Sequence, residues 1–268
     1  MKPPISGTTQ LYGIIADPIG HVRATELFNA YFEKHSIDAV FVPFHVKPEG
    51  AKDALTGFRR MLNLHGIIVT IPHKVAFVDL VDEVTTTARL AGAANVIRPE
   101  PNGHWSGTNL DGMGFVGGLA DKIFLPKGHS FLVVGSGGAG SAIAATLVQS
   151  GITRLTIADV QRERSEKLAV RLSTAVPDVP INVVDANPDP AGYDVVVNAT
   201  PMGMHEGDPL VFDPARVSDG AVVADVVQAP PVTRLLHAAQ QRGLRILQGC
   251  NMLDYQFIEM ARFFRIVD

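Results

Sequence analysis

The sequence predicts an α/β protein of two domains, the first built on a mostly parallel sheet and the second on a doubly wound parallel sheet. Two observations carry this prediction. Short apolar runs alternate with helical patterns along the chain, and a hydrophilic break at 125–128 precedes a second series of the same alternation. A chain of 268 residues is also long enough for two domains. We expect the first domain over residues 1–110 and the second over 111–249.

The elements of the first domain follow from its apolar runs and helix signals. A strand at 11–16 ends at Asp17-Pro18 and precedes a helix that Thr25 is expected to cap. The remaining elements are strands at 39–46, 66–71 and 94–98 and helices at 48–63 and 85–91. Strands that alternate with helices in this way are typical of parallel sheets.

The second domain repeats the alternation, and a terminal helix follows it. Strands are predicted at 131–135, 154–158, 181–184, 193–198, 221–227 and 244–247, and helices at 139–150, 161–174 and 233–242. An amphipathic pattern at 252–266 predicts a last helix with an apolar face to bury. We expect this C-terminal segment, about 250–268, to pack on the first domain and complete it.

A glycine-rich turn follows the first strand of the second domain and opens its first helix. The residues in the GxGxxG stretch are Gly135, Gly137, Gly138, Ala139 and Gly140. Glycines at these positions permit a tight turn, the approach of a pyrophosphate to the backbone, and close packing of the helix on the strand. The stretch therefore predicts a dinucleotide site, with an ordinary glycine-rich turn as the alternative.

Asp159 decides between these alternatives and bears on the choice of cofactor. It closes the next predicted strand, about 20 positions after Gly140, where an acidic residue accepts a hydrogen bond from a ribose hydroxyl. A carboxylate there would repel a 2′-phosphate, so the sequence favours NAD. Arg162 and Arg164 keep NADP possible, because a nearby arginine can accommodate that phosphate.

Composition and charge limit the remaining classes of function. The net charge of −4 and the pI near 6.1 give no general attraction to nucleic acid or to an anionic membrane. Cys250 is the only cysteine, and the histidines have no metal-ligand spacing, so we predict no metal site. We expect a cytoplasmic protein, a monomer or homodimer, whose partner is a small-molecule hydroxy acid.

Three residues of the first region could carry chemistry beside a nicotinamide. Lys74 follows a buried strand and could exchange a proton with a carbonyl oxygen, although it could equally be a solvated lysine that opens a helix. Asp111 could orient such a lysine, although Asp-Gly is more often a turn. Asn95 lies between apolar neighbours, and its amide needs either substrate hydroxyls or backbone groups as partners.

Six segments in the same order resemble the signatures of the shikimate dehydrogenase family. They are Ile68-Val69-Thr70-Ile71-Pro72-His73-Lys74, Gly92-Ala93-Ala94-Asn95-Val96, Gly107-Thr108-Asn109-Leu110-Asp111-Gly112, the glycine-rich turn, Asn198-Ala199-Thr200-Pro201-Met202-Gly203-Met204, and Gly249-Cys250-Asn251-Met252-Leu253-Asp254-Tyr255-Gln256. The resemblance covers nearly the whole chain. It implies a Rossmann-type NAD(P)-binding domain, a substrate cleft between the domains and reversible reduction of 3-dehydroshikimate or a close analogue such as dehydroquinate.

The resemblance also implies roles for individual residues. It makes Lys74 and Asp111 the catalytic pair, and it assigns the substrate hydroxyls to Thr70, Asn95 and Gln256. The segment that contains Asn198, Thr200 and Met202 is implied to bind the cofactor.

The departure from the family pattern that bears most on the substrate is a segment near the N-terminus. The family usually carries H-S-x-S-P near its N-terminus, and its serines bind the substrate carboxylate, whereas this chain reads His21-Val22-Arg23-Ala24-Thr25. Val22 and Ala24 have no side-chain donor, so Arg23 or Thr25 would have to replace the serines. The departure leaves two alternatives open: a dehydrogenase for another cyclic hydroxy acid, such as an aminoshikimate, and a catalytically silent NAD-binding sensor.

Overall fold

A computed structural model describes residues 4–20 and 22–267 of the chain, which form two compact units. Unit 1 contains residues 4–20, 22–89, 93–109 and 260–267, and unit 2 contains residues 90–92 and 110–259. The main change of unit falls between Asn109 and Leu110, where the β-sheet of unit 1 ends and a helix of unit 2 begins. His21, which belongs to the segment that departs from the family pattern, lies outside the described residues.

Unit 1 is an α/β layer around a mixed sheet. Its elements are β1 (Gln10–Ala16), α1 (Ala24–Lys34), β2 (Ala39–His45), α2 (Ala51–Phe58), β3 (Leu64–Val69), α3 (Lys74–Leu80), β4 (Glu83–Val84), α4 (Thr86–Ala91), β5 (Val96–Pro99) and β6 (Trp105–Thr108). The strand order is β2-β1-β3-β5-β6-β4. The β1–β2, β1–β3 and β4–β6 pairs are parallel, and β5 runs antiparallel to both of its neighbours.

The core of unit 1 lies on both faces of this sheet. One cluster contains β3 side chains such as Ile67 together with Leu55 and Phe58 of α2 and Phe77 of α3. The other is aromatic: Phe28 of α1 stacks on Phe41 of β2 with ring centroids 4.8 Å apart, and Phe264 packs against Tyr12 at 5.5 Å. Buried aromatic pairs of this kind stabilise a sheet face beyond their buried area.

Unit 2 has the doubly wound topology. Its elements are α5 (Asp111–Lys122), β7 (Ser130–Val134), α6 (Gly138–Gln149), β8 (Arg154–Ala158), α7 (Arg162–Ala175), β9 (Ile181–Val184), β10 (Val195–Asn198), β11 (Val222–Asp225), α8 (Arg234–Gln241), β12 (Arg245–Leu247) and α9 (Gly249–Phe263). The strands pair in parallel in the order β12-β11-β10-β7-β8-β9. The order reverses between β7 and β10, and ligands of such sheets bind at the carboxyl ends of the strands at this switch point.

The strands of unit 2 are apolar on both faces because helices cover both of them. Phe131, Val133, Val195 and Val197 belong to one core cluster, and Leu132 and Val196 belong to the other. This alternation explains why β7 and β10 appear in the sequence as continuous apolar runs. Within residues 4–20 and 22–267, no helix has the length and apolar composition needed to cross a bilayer.

Several boundaries differ from those predicted. The helix predicted at 48–63 is a 3₁₀ turn at Pro48–Gly50 followed by α2, which ends at Phe58 because the chain turns at 59–63 to enter β3. Thr25 is not the helix cap: Arg23 is the N-cap, and Thr25 lies within the first turn of α1. Helix α3 and strand β6 had no predicted counterpart, since both are short and have little apolar periodicity.

The last helix differs from its prediction in position and in surroundings. It starts at Gly249 rather than at 252, and it ends at Phe263 rather than at 266. The prediction places 250–268 with the first domain, whereas the residues of α9 up to Glu259 belong to unit 2 and those from Met260 onwards belong to unit 1. The apolar face that the sequence shows as continuous is therefore buried in two different places.

Candidate active site

The glycine-rich turn lies between β7 and α6, at the switch point of the unit 2 sheet. Gly135 has a φ of +104°, a backbone conformation that residues other than glycine rarely adopt. A Cβ at Gly140 would overlap the carbonyl oxygen of Gly135, so a side chain there would push α6 away from β7. A Cβ at Gly137, the N-cap of α6, would have no atom within 4 Å in the described structure.

Asp159 comes directly after β8 and is joined to this turn. Its Oδ2 accepts hydrogen bonds from the backbone N–H of Ser136, at 2.6 Å, and from the Ser136 hydroxyl, at 2.9 Å. Its Oδ1 accepts from the N–H of Gln161 at 2.8 Å, and the residue is only 9% exposed. The acidic residue predicted for the ribose is thus held by the turn predicted for the pyrophosphate.

The two arginines that keep NADP possible have different surroundings. Arg162 donates to Glu166 at 2.9 Å and also contacts Asp185, so two carboxylates already surround its guanidinium group. Arg164 is exposed on α7. The arginine nearer in sequence to Asp159 is therefore engaged in ion pairs on the surface of unit 2.

The segment after β10 forms a hydrogen-bonded loop at the same edge of the sheet. The side-chain oxygen of Asn198 accepts from the Thr200 hydroxyl at 2.7 Å, and its amide donates to the carbonyl of Met202 at 2.8 Å. The Thr200 hydroxyl in turn accepts from the N–H of Met202 at 3.1 Å. Asn198 is 1% exposed, so its side chain holds the loop together from beneath.

These features fit a dinucleotide. The turn leaves open space at Gly137 beside the N-terminal end of α6, where the positive end of the helix dipole favours an anion. The Ala199 backbone lies against Gly135, so a Cβ at Gly135 would be 2.9 Å from its carbonyl oxygen. The turn after β7 and the loop after β10 therefore lie against each other at the switch point of the unit 2 sheet.

The predicted proton-transfer residue, Lys74, is the first residue of α3 in unit 1. It is half-buried, and its backbone carbonyl accepts from the N–H of Ala94 at 2.9 Å. The segment before it is tied to the sheet, because the N–H of Thr70 donates to Ile15 at 3.1 Å and its carbonyl accepts from the N–H of His73. Lys74 is therefore the first residue of a helix, α3, and the turn that joins it to the carboxyl end of β3 is fixed by backbone hydrogen bonds.

His73 is a contributor to this turn that the sequence did not single out. It is 1% exposed, and its Nε2 lies 2.8 Å from the carbonyl oxygen of Val46. Its ring also meets Phe77 edge-on, with centroids 6.2 Å apart. The burial of His73 could not be predicted from the sequence around it, because it depends on contacts of His73 with the end of β2.

Asn95 is buried in unit 1 as expected, at 1% exposure. Its backbone is bonded on both sides: its carbonyl accepts from Val69 at 2.8 Å, and its N–H donates to Thr108 at 2.9 Å. Asn109, at the end of the same unit, is fully buried and donates from Nδ2 to the carbonyl of Ala93 at 3.0 Å. The two family-like segments that contain these asparagines therefore lie side by side.

Asp111 and Gln256 are brought together in unit 2. Both side chains are 3% exposed, and the amide of Gln256 donates to Asp111 Oδ1 at 2.7 Å. Asp111 begins α5, where the helix dipole also stabilises its negative charge. The contact depends on Gly114, because a Cβ there would overlap Gln256 Cγ and lie 2.6 Å from the carbonyl oxygen of Met252.

The segment that departs from the family pattern lies at the start of α1. Arg23 is exposed and Ala24 is buried. Thr25 Oγ1 is a buried atom without a hydrogen-bond partner among the described residues. A buried hydroxyl in this condition is uncommon, since most buried polar groups are paired. It offers one donor close to the two positions where the sequence lacks serines.

Comparison with known proteins gives consistent results along the chain. A sequence model of the shikimate dehydrogenase substrate binding domain matches residues 14–97. A shikimate dehydrogenase (NADP(+)) of Rubrobacter xylanophilus is 37% identical over 99% of this chain and 94% of its own length. The crystal structure of a shikimate dehydrogenase from Aquifex aeolicus, 33% identical, superposes with a TM-score of 0.88 over 98% of this chain and 95% of that one.

A further solved structure has a different substrate in its name. The quinate dehydrogenase from Corynebacterium glutamicum, in complex with NAD, is 31% identical. It superposes with a TM-score of 0.86 over 97% of this chain and 94% of that one.

Proposed function

Because the chain belongs to the shikimate dehydrogenase family, it is an NAD(P)-dependent dehydrogenase that acts on a CH–OH group, and we propose that it reversibly reduces 3-dehydroshikimate or dehydroquinate. The nicotinamide, when bound, supplies or accepts the hydride. What this chain must add is a group that exchanges one proton with the substrate oxygen and groups that hold the ring.

We assign the proton transfer to Lys74 and assign Asp111 as its carboxylate partner. The turn that fixes Lys74 supports its assignment, because a transferring group must be held in position as well as titrate. The observation that carries the proposal is the buried pair of Asp111 and Gln256. Burying a carboxylate to 3% exposure costs solvation free energy, even when an amide donates to it. A residue that only formed a turn could stay exposed and would avoid this cost, so the burial supports a functional role.

The substrate hydroxyls are assigned to Thr70, Asn95 and Gln256. Thr70 and Asn95 belong to adjacent segments of unit 1, and the N–H of Val69 joins them through the Asn95 carbonyl. We further propose that Thr25 or Arg23 binds the substrate carboxylate. The Thr25 hydroxyl is buried and has no hydrogen-bond partner among the described residues, which supports Thr25. The positive charge of the exposed Arg23 supports attraction of the carboxylate over a longer distance.

For the cofactor, we propose NAD rather than NADP. The Rubrobacter relative is named as an NADP(+) enzyme, whereas the Corynebacterium structure holds NAD, so the preference depends on this chain's own residues. Asp159 supports NAD because its carboxylate faces the turn and would oppose a 2′-phosphate. Arg162 gives little support to NADP because Glu166 and Asp185 already surround it.

The experiment that tests these assignments is a set of initial rates with shikimate and with quinate, each measured with NAD and with NADP. We expect turnover with at least one of the two acids and a higher kcat/KM with NAD. Absence of turnover with either acid would refute the substrate assignment, and a higher kcat/KM with NADP would refute the cofactor assignment.

A second candidate substrate is another cyclic hydroxy acid, such as an aminoshikimate. The observation that motivates it is the pair Val22 and Ala24, which offer no side-chain donor where the family has serines, so that the substrate contacts of this chain differ from those of the family. Loss of two hydrogen bonds to a carboxylate would cost about 1.5–3 kcal/mol each. A higher kcat/KM for the amino compound than for both acids would select this candidate.

A further inference from the structure

Asp225 is a buried carboxylate in unit 2 that the proposed chemistry does not use. It ends β11 and is 3% exposed. Its Oδ1 accepts from the amide of Asn198 at 3.1 Å and from the N–H of Val227 at 3.0 Å, and its Oδ2 accepts from the Thr233 hydroxyl at 2.7 Å. These three donors are all neutral groups.

Through Asn198, Asp225 reaches the loop after β10. The Asn198 amide nitrogen that donates to Asp225 also donates to the Met202 carbonyl, and the oxygen of the same side chain accepts from the N–H and hydroxyl of Thr200. The nitrogen of an amide donates and its oxygen accepts, so an acceptor at Asp225 fixes the orientation in which the Asn198 nitrogen reaches Met202 and its oxygen reaches Thr200. The conformation of residues 199–202 thus depends on an acceptor at the end of the neighbouring strand.

The carboxylate is held at a cost to the fold. Burial raises the pKa of Asp225 to about 6, although its three hydrogen bonds act in the opposite direction. Above that pH it is ionised in an apolar environment and has only neutral partners. A carboxylate that is costly to bury and yet accepts a hydrogen bond from Asn198, the residue that holds the loop after β10, is expected to have a role other than stability.

We propose that Asp225 is a positioning residue that, through Asn198, holds residues 199–202 in the conformation that binds the cofactor. This inference rests on the proposed function, which assigns that loop to cofactor binding. It adds a residue that touches neither substrate nor cofactor. It predicts that loss of the acceptor weakens cofactor binding more than it slows turnover.

The test is a titration of the protein with NAD and with NADP, followed by calorimetry or protein fluorescence. Asp225→Ala removes the carboxylate that accepts from three buried donors, so we expect the Kd to rise about tenfold, with kcat changed much less. Asp225→Asn keeps an acceptor for Asn198 and Val227 and should bind nearly as tightly as the wild type. Leu172→Ala, which opens a cavity in the core at α7, is the destabilised control and should leave the Kd unchanged.

Two results would overturn the proposal: wild-type affinity in Asp225→Ala, or equal weakening in Asp225→Asn and Asp225→Ala. If the alanine variant does not fold, Asn198→Asp provides the test, because it places a second carboxylate against Asp225. Adding Asp225→Asn should then tighten cofactor binding, and a failure to tighten it would contradict the proposal. Binding is measured without substrate, so absence of turnover with shikimate and quinate would refute the substrate assignment alone.

Discussion

At the scale of single residues, Lys74 combines an ionisable group with a fixed backbone. Its carbonyl is bonded to Ala94, and the buried His73 anchors the turn that precedes it. Four other lysines of the described residues are exposed on helices, and Lys52 on α2 is one of them. This difference makes Lys52 a suitable control for Lys74.

We predict that Lys74→Ala lowers kcat by about 10²–10⁴, because proton transfer by a positioned group typically contributes this much. Lys52→Ala should retain wild-type kcat. The measurement is steady-state kinetics with the acid that the wild type oxidises, together with a thermal melt to establish that the variant is folded. Wild-type kcat in Lys74→Ala would show that another group transfers the proton.

Asp159 has two roles at the same scale, since it holds Ser136 and is proposed to face the ribose. Asp159→Asn removes the negative charge and keeps one acceptor. We predict that the ratio of kcat/KM for NAD to that for NADP falls about tenfold, because one charge repulsion with the 2′-phosphate is lost. Asp178→Asn, an exposed acid of the same unit, should leave the ratio unchanged. An unchanged ratio in Asp159→Asn would mean that the carboxylate does not select the cofactor.

At the scale of elements, the glycines of helix α5 let it pack closely on its neighbours, and this close packing brings Asp111 and Gln256 together. Gly112 lies against Thr146 of α6, and Gly114 lies against α9. Each glycine lowers the intrinsic stability of the helix by about 0.5–1 kcal/mol relative to alanine, and it permits closer packing of α5 on its neighbours. This packing positions Asp111, the carboxylate proposed to be catalytic.

Gly114→Ala should therefore destabilise the protein by about 1–3 kcal/mol, because the new methyl would overlap Gln256 and the rigid backbone of Met252. Gly57→Ala on α2 is the matched control: a Cβ there meets no atom within 4 Å, and the change should be neutral or stabilise by about 0.5–1 kcal/mol. Urea unfolding of both variants measures the difference. Equal stability of the two would contradict the proposed packing of α5 against α9.

A second link between elements joins β5 to the end of α9 in unit 1. Glu100 accepts from Arg98 at 2.8 Å, from the Ser106 hydroxyl at 2.6 Å and from Arg265 at 2.6 Å. Arg98 also donates to the carbonyl of Phe263 and lies over its ring. Burial acts to raise the pKa of Glu100, but the hydrogen bonds from Ser106, Arg98 and Arg265 together lower it to about 2.

Because the folded pKa is below the ordinary 4.5, ionised Glu100 stabilises the fold above about pH 4.5, and this contribution is lost as the pH falls towards 2. We predict that Glu100→Gln is less stable than the wild type at pH 7 and that the gap narrows at pH 3. Glu163→Gln, which breaks an exposed ion pair with Lys167, should change little. A gap independent of pH would mean that the charge of Glu100 contributes nothing. Chemical denaturation at the two pH values measures it.

At the scale of the whole molecule, the pH profile of stability combines groups with opposite effects. Asp225 has a folded pKa of about 6, above its ordinary 3.8. Its contribution to stability is therefore complete below pH 3.8 and is lost as the pH rises through 6. Glu100 acts in the opposite direction at lower pH.

We predict that Asp225→Asn gains about 3 kcal/mol of unfolding free energy relative to the wild type between pH 3 and pH 8, since the shift is about two pKa units. The measurement is chemical denaturation of both proteins across that range. A difference that stays constant with pH would show that Asp225 does not titrate near 6.

Much of the architecture was predictable because it depends on local patterns. The glycine turn, the alternation of apolar strands with helices and the acid after β8 are all encoded within about 30 residues, and the doubly wound order follows from right-handed crossovers. The boundaries of α2 and α9 were not predictable from pattern alone. The position where the chain must enter β3, and the two surroundings of α9, decide where those helices end and what they bury.

The sequence by itself determined the residue types of the proposed site and their order: the glycine turn, Lys74, Asp111, Asp159 and Gln256. Only the tertiary structure decided their partners. Gln256 reaches Asp111 across 145 positions, Ser136 binds Asp159 across 23, and Asp225 binds Asn198 across 27. The physical reason is that a side-chain hydrogen bond depends on the packing of whole elements to a few tenths of an ångström, and local propensity contains no information about that packing.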